Sequence, residues 1–318
     1  MKEARVVLVA LGSALAGFVF AIAFERELIH LLGLNLQELE WVSDVVLACA
    51  FGAATFLWLH LRRARTALTR LERAQLVLDT ELAIAADIQR DLLPPPPGAR
   101  NGWRFAARLE QAGHIGGDFY DFIDRGPAAL VLLADVSGKG IPAALGMASA
   151  RTLFRQIARE TERPDELMAR LAHALWEEHG GTPYLTGILA RIDFEARLLS
   201  WVNAGHPSGL LVRGTSHQAL PATGPPAGLL SEASYSAQQL LLAAGDALVL
   251  VTDGVTEALE SGGRVEDRIA WTVAQKRAAG PKAVCDRVMR LAASGRPPVG
   301  AGDWQDDRTV VTVTLDPA

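Results

Sequence analysis

Two apolar runs of similar composition each end in an aspartate that is followed by a turn. ALVLLAD covers residues 129–135, and ALVLVTD covers residues 247–253. A continuous apolar run of this length is typical of a buried β-strand. A carboxylate fixed at the end of a buried strand needs positive charge nearby, because its desolvation costs on the order of several kcal/mol. We therefore expect Asp135 and Asp253 to be two halves of one site.

The second half of the chain alternates short β-type runs with helical stretches. Several of the predicted strands follow each other through hairpin-length turns, which favours antiparallel sheets. The pattern predicts an α+β fold, a β-sandwich of two mainly antiparallel sheets flanked by helices. The predicted strands are 103–110, 118–123, 129–135, 185–192, 197–202, 210–213, 238–242, 247–252 and 309–315, and the predicted helices are 142–159, 164–179, 265–278 and 281–293.

The first 61 residues contain two apolar stretches, at about 6–24 and 42–61. Each is long enough to cross a bilayer as a helix. Arginines follow the second stretch, whereas the segment between the two holds mostly acids, so the positive-inside bias places both termini in the cytoplasm. The sequence predicts a multi-pass anchor, 1–61, in the inner (cytoplasmic) membrane, with the catalytic domain in the cytoplasm. An apolar share of 50% and a mean hydropathy of +0.18 agree with a membrane segment.

The first stretch has an alternative interpretation as a cleaved signal peptide, since an AIA triplet at 21–23 follows a basic start. The apolar core of a signal peptide usually runs roughly 7 to 15 residues, which favours the transmembrane helix. Cleavage would leave the second span and the cytoplasmic placement unchanged.

Residues 62–93 continue the second span with the spacing of a coiled-coil signalling helix. Mostly apolar positions recur every three or four residues, which favours a parallel homodimer. An amphipathic helix that packs on its own catalytic domain explains the same stripe, and the stripe could serve both roles. Pro94–Pro97 must end the helix near Leu93, so the catalytic domain is predicted to span 94–318. The stripe consists of Leu61, Ala64, Leu68, Leu71, Gln75, Leu78, Leu82, Ala85, Gln89 and Leu92.

Charge and cysteine content exclude two other classes of function. The net charge is -5, and no helix-turn-helix pattern or basic face is present, so nucleic-acid binding is not expected. Cys49 and Cys285 lie far apart, which suggests neither a disulfide framework nor a zinc site.

Two further acidic motifs join the strand-end aspartates. Asp118 lies in GGDFYD, and the pair Asp306 and Asp307 lies in QDDRT just before the last predicted strand. Each motif alone reads as an ordinary turn. Together the acids form an all-oxygen donor set, which favours a hard divalent cation such as Mg2+ or Mn2+.

The ordered set of motifs resembles a known family. ELAIAADIQRDLLP, GGDFYD, ADVSGKG, NAGHP, TDGVTEA and DDRT follow one another from residue 81 to residue 309, and the resemblance covers essentially all of residues 82–315. This order is similar to that of the bacterial metal-dependent serine/threonine phosphatases of the PPM class, in the branch of stage II sporulation protein E and the stress-sigma regulators. The whole set is far more specific than any one of its motifs.

The resemblance implies a site for two divalent cations, Mn2+ or Mg2+, and a water nucleophile without a phosphoenzyme. It implies that the substrate is a phosphoserine or phosphothreonine on a regulatory protein of the anti-sigma factor antagonist type. Asp118, Asp135 and Asp253 would be the catalytic acids. The implied ligands are Asp118, Asp135, the main-chain carbonyl of Val136, Asp253 and Asp306. Asp307 would support these ligands without binding an ion, and an exchange of roles between Asp306 and Asp307 stays open.

Several positions leave alternatives open. Lys139, in the SGKG turn, either faces the phosphate or is a solvated turn residue. Many members of the class have a histidine where this chain has Ser137, so the acid that protonates the leaving group is undetermined. His206 in NAGHP either orders its loop or acts as that acid, and the segment LESGGRVEDR replaces a phenylalanine-containing acidic stretch.

Two rival functions remain. A catalytically silent scaffold could bind a phosphorylated partner, although all four acidic positions are retained. A two-metal nucleotide cyclase or phosphodiesterase would also use paired acids, but the chain has no GxxxxGK phosphate-binding motif.

Overall fold

The computed structural model describes residues 23–24, 27, 40–260, 263–276, 279–295 and 306–316. The chain divides into two units, Met1–Val77 and Leu78–Ala318. Most of the first predicted span, residues 6–22, lies outside the described residues, and so does the AI of the AIA triplet. The two-span anchor and the signal-peptide alternative therefore stay predictions.

Helix α1 covers Glu40–Leu92. Within the described residues it is one helix whose length and apolar composition would suit a membrane span, starting at Val45. The second predicted span, 42–61, falls inside it. The helix ends one residue before the predicted stop, since the proline run that follows has no donors to continue it. Pairing of this helix with a second chain stays a prediction.

Among the described residues of the unit that starts at Leu78, ten strands form two five-stranded sheets, and every pair of neighbouring strands is antiparallel. The first sheet has the order β1-β10-β9-β6-β7, and the second has the order β2-β3-β4-β5-β8. This confirms the predicted α+β architecture of two antiparallel sheets. The strands are β1 Trp103–Glu110, β2 Phe119–Asp124, β3 Ala128–Val136, β4 Leu185–Asp193, β5 Leu198–Ala204, β6 Gly209–Arg213, β7 Ser216–Leu220, β8 Gln238–Leu241, β9 Ala247–Val251 and β10 Arg308–Leu315.

Helices cover the outer face of each sheet. Helices α2 (Ile141–Ile157) and α3 (Pro164–His179) pack on the second sheet. Helices α5 (Val265–Lys276) and α6 (Pro281–Ala293) pack on the first, beside the short helix α4 (Asp253–Glu257).

The continuous apolar runs are explained by burial on both faces of their strands. In β3, Val131 and Leu133 point into the core between the sheets, whereas Leu130 and Leu132 pack against helices α2 and α3. Every residue of β9 is buried in the same way, between β10 and β6. A strand covered on both faces has no polar alternation, so the sequence pattern is that of a central strand.

Three predicted details differ from the structure. Strand β7 was not predicted, because its mostly exposed residues SHQAL have no apolar alternation and pair only as the outer strand of a hairpin with β6. The TDG sequence, expected to form a turn, instead begins helix α4 at Asp253. Asp118 precedes strand β2 rather than starting it.

Candidate active site

Asp118 is buried where the two sheets meet, with 3% of its surface exposed. One oxygen of its carboxylate, Oδ2, accepts hydrogen bonds from the hydroxyls of Thr252 at 2.8 Å and Thr309 at 2.6 Å. Thr252 follows β9, and Thr309 lies near the start of β10. Two threonines at the ends of β9 and β10 thus fix the carboxylate of the acid that precedes β2. The other oxygen of this carboxylate, Oδ1, takes no part in these two bonds.

Asp135 and Val136 end strand β3 and face the loop before β2. Glycine at position 117 allows these two segments to approach closely. A β-carbon there would lie 2.5 Å from the carbonyl oxygen of Val136 and 3.0 Å from Oδ1 of Asp135. Both oxygens therefore lie close to the residue that precedes Asp118.

Asp253 is the first residue of helix α4, and its Oδ1 accepts a hydrogen bond from the Gly254 N–H at 2.8 Å. Glu257 lies one turn further along the same helix. Burial first, and then the charges of Asp253 and Asp306, raise the pKa of Glu257. Helix α4 thus adds acidic groups to the region in which strands β9 and β10 lie side by side.

The neighbouring residues Asp306 and Asp307 make different contacts. The ammonium of Lys139 lies 3.1 Å from Oδ2 of Asp306, whose side chain is 39% exposed. Asp307 is buried, and its Oδ1 accepts the N–H of Ala112 at 2.9 Å. A β-carbon at Gly116 would overlap the Asp307 carboxylate. Asp307 therefore holds the loop before Asp118, and Asp306 is the more open acid.

The acids at this site repel one another. Burial, followed by the charges of Asp253 and Asp306, raises the pKa of Asp135 to about 7. Burial and the charge of Asp135 raise the pKa of Asp118, and burial followed by Asp306 raises that of Asp253. Lys139 opposes these shifts at Asp135 and Asp253. Positive charge placed among these acids would relieve the repulsion.

A cavity of about 450 Å³ opens beside these acids. Asp135, Lys139, Asp306 and Asp307 contribute its polar wall, and the end of helix α1 contributes apolar side chains. It is lined by Leu78, Leu82, Ala112, Gly113, His114, Ile115, Gly116, Gly117, Asp135, Gly138, Lys139, Gly140, Ile141, Asp306 and Asp307.

The donor set fits hard divalent cations. Over the described residues, no group of three or more His, Cys, Asp or Glu side chains is assembled as an ion site. The carboxylates and the Val136 carbonyl nevertheless provide only oxygen donors, and two of these oxygens lie beside Gly117. Oxygen donors with mutually raised pKa values suit Mg2+ or Mn2+.

His206 and Asn203 lie away from this cavity. The Asn203 side chain accepts the His206 N–H at 2.8 Å and donates to the His206 carbonyl at 3.1 Å. Nδ1 of His206 lies 2.9 Å from the Thr186 hydroxyl, and burial lowers the pKa of this histidine to about 3. These contacts favour the loop-ordering alternative over the proton donor.

Three sets of residues that support the site and its surroundings were not predicted from the sequence. Thr252 and Thr309 flank predicted acids, so hydroxyls next to strand-end aspartates were the available signal. Gln89, a polar position of the predicted coiled-coil stripe, is buried and bonded to Gly116. The third set pairs a fully buried acid of β2 with two arginines of α2, namely Asp121 with Arg151 at 3.1 Å and Arg155 at 2.6 Å.

A comparison with protein families decides the identity of this site. Residues 126–316, more than half of the 318 residues, match the family described as stage II sporulation protein E. The chain belongs to the stage II sporulation protein E family. The predicted resemblance is therefore confirmed. The matched range includes Asp135, Asp253 and the pair Asp306 and Asp307, and it begins after Asp118.

Similar proteins of the family come from Bacillus subtilis (strain 168). Phosphoserine phosphatase RsbU is 26% identical over 198 residues, which cover 62% of this chain and 59% of RsbU. Phosphoserine phosphatase RsbP is 30% identical over 189 residues, which cover 57% of this chain and 46% of RsbP. The chain thus spans about half the length of these curated relatives.

Solved structures share the fold. The SiaA-PP2C domain of Pseudomonas aeruginosa superposes with a TM-score of 0.63 and 22% identity, covering 76% of this chain and 99% of that domain. The PP2C phosphatase domain of SpoIIE from Bacillus subtilis, with a fragment of its regulatory domain, gives a TM-score of 0.60 and 20% identity over 69% of this chain and 64% of that one. This family member therefore has a PP2C-like fold.

Proposed function

We propose that the protein is a metal-dependent protein serine/threonine phosphatase. It would remove phosphate from a phosphoserine or phosphothreonine of a regulatory protein. The observation that carries the proposal is the electrostatic coupling of acids from separate elements: burial and the charges of neighbouring acids raise the pKa values of Asp118, Asp135 and Asp253. Asp135 and Asp306 also line the cavity. Similarity to two proteins named phosphoserine phosphatases supports the reaction class.

The carboxylates of Asp118, Asp135, Asp253 and Asp306, with the Val136 carbonyl, would hold two divalent cations, Mn2+ or Mg2+. Such ions neutralise the phosphate and lower the pKa of a water molecule, so that it can attack phosphorus at neutral pH. No side-chain nucleophile is then required.

Other residues of the chain serve to position these groups. Thr252 and Thr309 fix Oδ2 of Asp118, so that its carboxylate has one defined orientation. Lys139 lies beside Asp306 at the cavity wall, where its ammonium can also approach an anionic substrate. The exposed side of the cavity admits a phosphorylated segment of a protein.

We further propose that the partner is a phosphorylated anti-sigma factor antagonist. This substrate class follows from the family resemblance. The chain would be anchored in the inner membrane by two spans, with its catalytic domain in the cytoplasm, and it would form a homodimer through its linker helix.

A signal would pass along helix α1 to the active site. The residue stripe that continues from the second span to Leu92 supports this route. Insertion of one residue after Thr80 would rotate the following turns by about 100° relative to the preceding ones. We expect this insertion to change turnover or its regulation, whereas the same insertion after Gly98, beyond the helix, should have a smaller effect. Unchanged turnover and oligomeric state in the Thr80 variant would contradict the route.

The decisive experiment measures phosphate release by the purified full chain from p-nitrophenyl phosphate and from a phosphoserine peptide. We expect hydrolysis of both with Mn2+ and none after chelation. Binding of the phosphopeptide without turnover would instead identify a silent scaffold. If the protein instead turned over cyclic nucleotides or nucleoside triphosphates and neither of these two substrates, the phosphodiesterase or cyclase alternative would be identified.

A further inference from the structure

We propose that His114 is the proton donor to the serine or threonine oxygen that leaves phosphorus. This assignment rests on the proposed phosphatase function and adds a residue that the family resemblance did not provide. His114 lies in the loop before Asp118, and it lines the same cavity as Lys139.

Hydrolysis of an alkyl phosphate needs such a donor. A water oxygen forms a bond to phosphorus while the bond from phosphorus to the serine oxygen breaks. The electron pair of the broken bond stays on the serine oxygen, which would leave as a strongly basic alkoxide. Transfer of the imidazolium proton to that oxygen releases the alcohol directly, and the attacking water loses its own proton to solvent, which then recharges the imidazole. Histidine commonly performs this role near neutral pH.

The other groups at the cavity are already engaged. Lys139 contacts the Asp306 carboxylate at 3.1 Å, and Asp307 accepts a backbone N–H of the loop. The hydroxyl of Ser137 accepts the N–H of Tyr184 at 3.0 Å and does not line the cavity. Among the histidines in the described part of the chain, only His114 lines it.

The loop that carries His114 is held on both sides of this residue. Ala112 donates its N–H to Asp307 at 2.9 Å, and Gly116 exchanges two hydrogen bonds with the side chain of Gln89. The backbone of the loop is therefore fixed two residues before and two residues after His114. Its imidazole remains exposed to solvent, which a group that must regain its proton requires.

The charged groups that line the cavity together with His114 are Asp135, Asp306, Asp307 and Lys139.

The test compares two leaving groups in the purified full chain with Mn2+. Nitrophenolate is stable without a proton, whereas a serine alkoxide is not. We expect His114→Gln to lower kcat for a phosphoserine peptide about 100-fold or more and to change kcat for p-nitrophenyl phosphate only slightly. Mn2+ should raise the unfolding temperature of the variant as much as that of the wild type. His173→Gln, an exposed histidine on α3, is the matched control and should change neither rate.

Each other result overturns the assignment. Equal loss on both substrates would mean that His114 binds the phosphate or supports the loop, and no loss on either would mean that it is not used. Loss of the Mn2+ effect on unfolding would make it a metal ligand instead. If the wild-type protein turned over neither substrate, the proposed function itself would be contradicted. The wild-type measurement therefore separates failure of the proposed function from failure of the His114 assignment.

Discussion

Gln89 binds the backbone of Gly116 through both ends of its side-chain amide. Its Nε2 donates to the Gly116 carbonyl at 2.6 Å, and its Oε1 accepts the Gly116 N–H at 3.2 Å. Gln111 donates to the same Oε1 at 2.7 Å. The last turns of helix α1 are thereby joined to the loop that precedes Asp118, so a polar residue of the predicted stripe serves the active site.

Replacement of Gln89 should loosen this loop. Gln89→Ala leaves the buried N–H and carbonyl of Gly116 without their partner, which we expect to cost roughly 1–3 kcal/mol in free energy of unfolding. Hydrogen exchange at residues 112–118 should accelerate, and turnover should fall. Gln156→Ala, an exposed glutamine on α2, is the control. Unchanged exchange in the Gln89 variant would show that the contact does not hold the loop.

Asp253→Asn tests the proposed metal ligands. The amide keeps the shape of the side chain but loses its charge, so we expect activity with saturating Mn2+ to fall by about 100-fold or more. The metal-free fold should stay intact, as judged by circular dichroism. Asp267→Asn changes an acid on α5 that is 56% exposed, and it should keep wild-type activity. Wild-type turnover in the Asp253 variant would show that the assignment is wrong.

Thr309→Val tests the orientation of Asp118. The substitution keeps the shape of the side chain and removes the 2.6 Å hydrogen bond to Oδ2. Loss of such supporting bonds typically weakens metal binding about 10- to 100-fold, so a titration of activity with Mn2+ should shift by that factor. Thr312→Val, a buried threonine of the same strand whose hydroxyl faces Cys285 at 3.2 Å, controls for the loss of a buried hydroxyl. Equal shifts in both variants would exclude a specific role for Thr309.

The raised pKa of Asp135 predicts a pH dependence of stability. In the metal-free protein its pKa is about 7, against an ordinary value of 3.8. The folded state therefore holds an extra proton between these values, and the free energy of unfolding should fall as pH rises through this window, by at most about 1.4 kcal/mol per pH unit for this group.

Divalent cations should oppose that loss. They replace the proton, so Mn2+ should stabilise the protein more at pH 8 than at pH 5. Asp135→Asn should reduce both the pH dependence and the Mn2+ effect, as measured by chemical unfolding of the full chain. A metal-free stability that rises between pH 4 and pH 7 would contradict the assigned repulsion among the acids.

The elements of the catalytic unit could be predicted because their signals are local. Strands β3 and β9 are covered on both faces, so their sequences are unbroken apolar runs. Helices that begin at Pro164 and Pro281 carry their start signals in the sequence. Strand β7 lacked such a signal, because an exposed outer strand depends on the hairpin partner that it happens to pair with.

The sequence by itself determined the strand ends, the acids placed on them and the oxygen chemistry of the site. Only the tertiary structure decided which atoms meet. Thr252 and Thr309 reach Asp118 across 134 and 191 positions of the chain, and the difference between Asp306 and Asp307 arises from the loop that packs against one of them. Contacts of this range depend on how two sheets pack together, and no local pattern of residues encodes that packing.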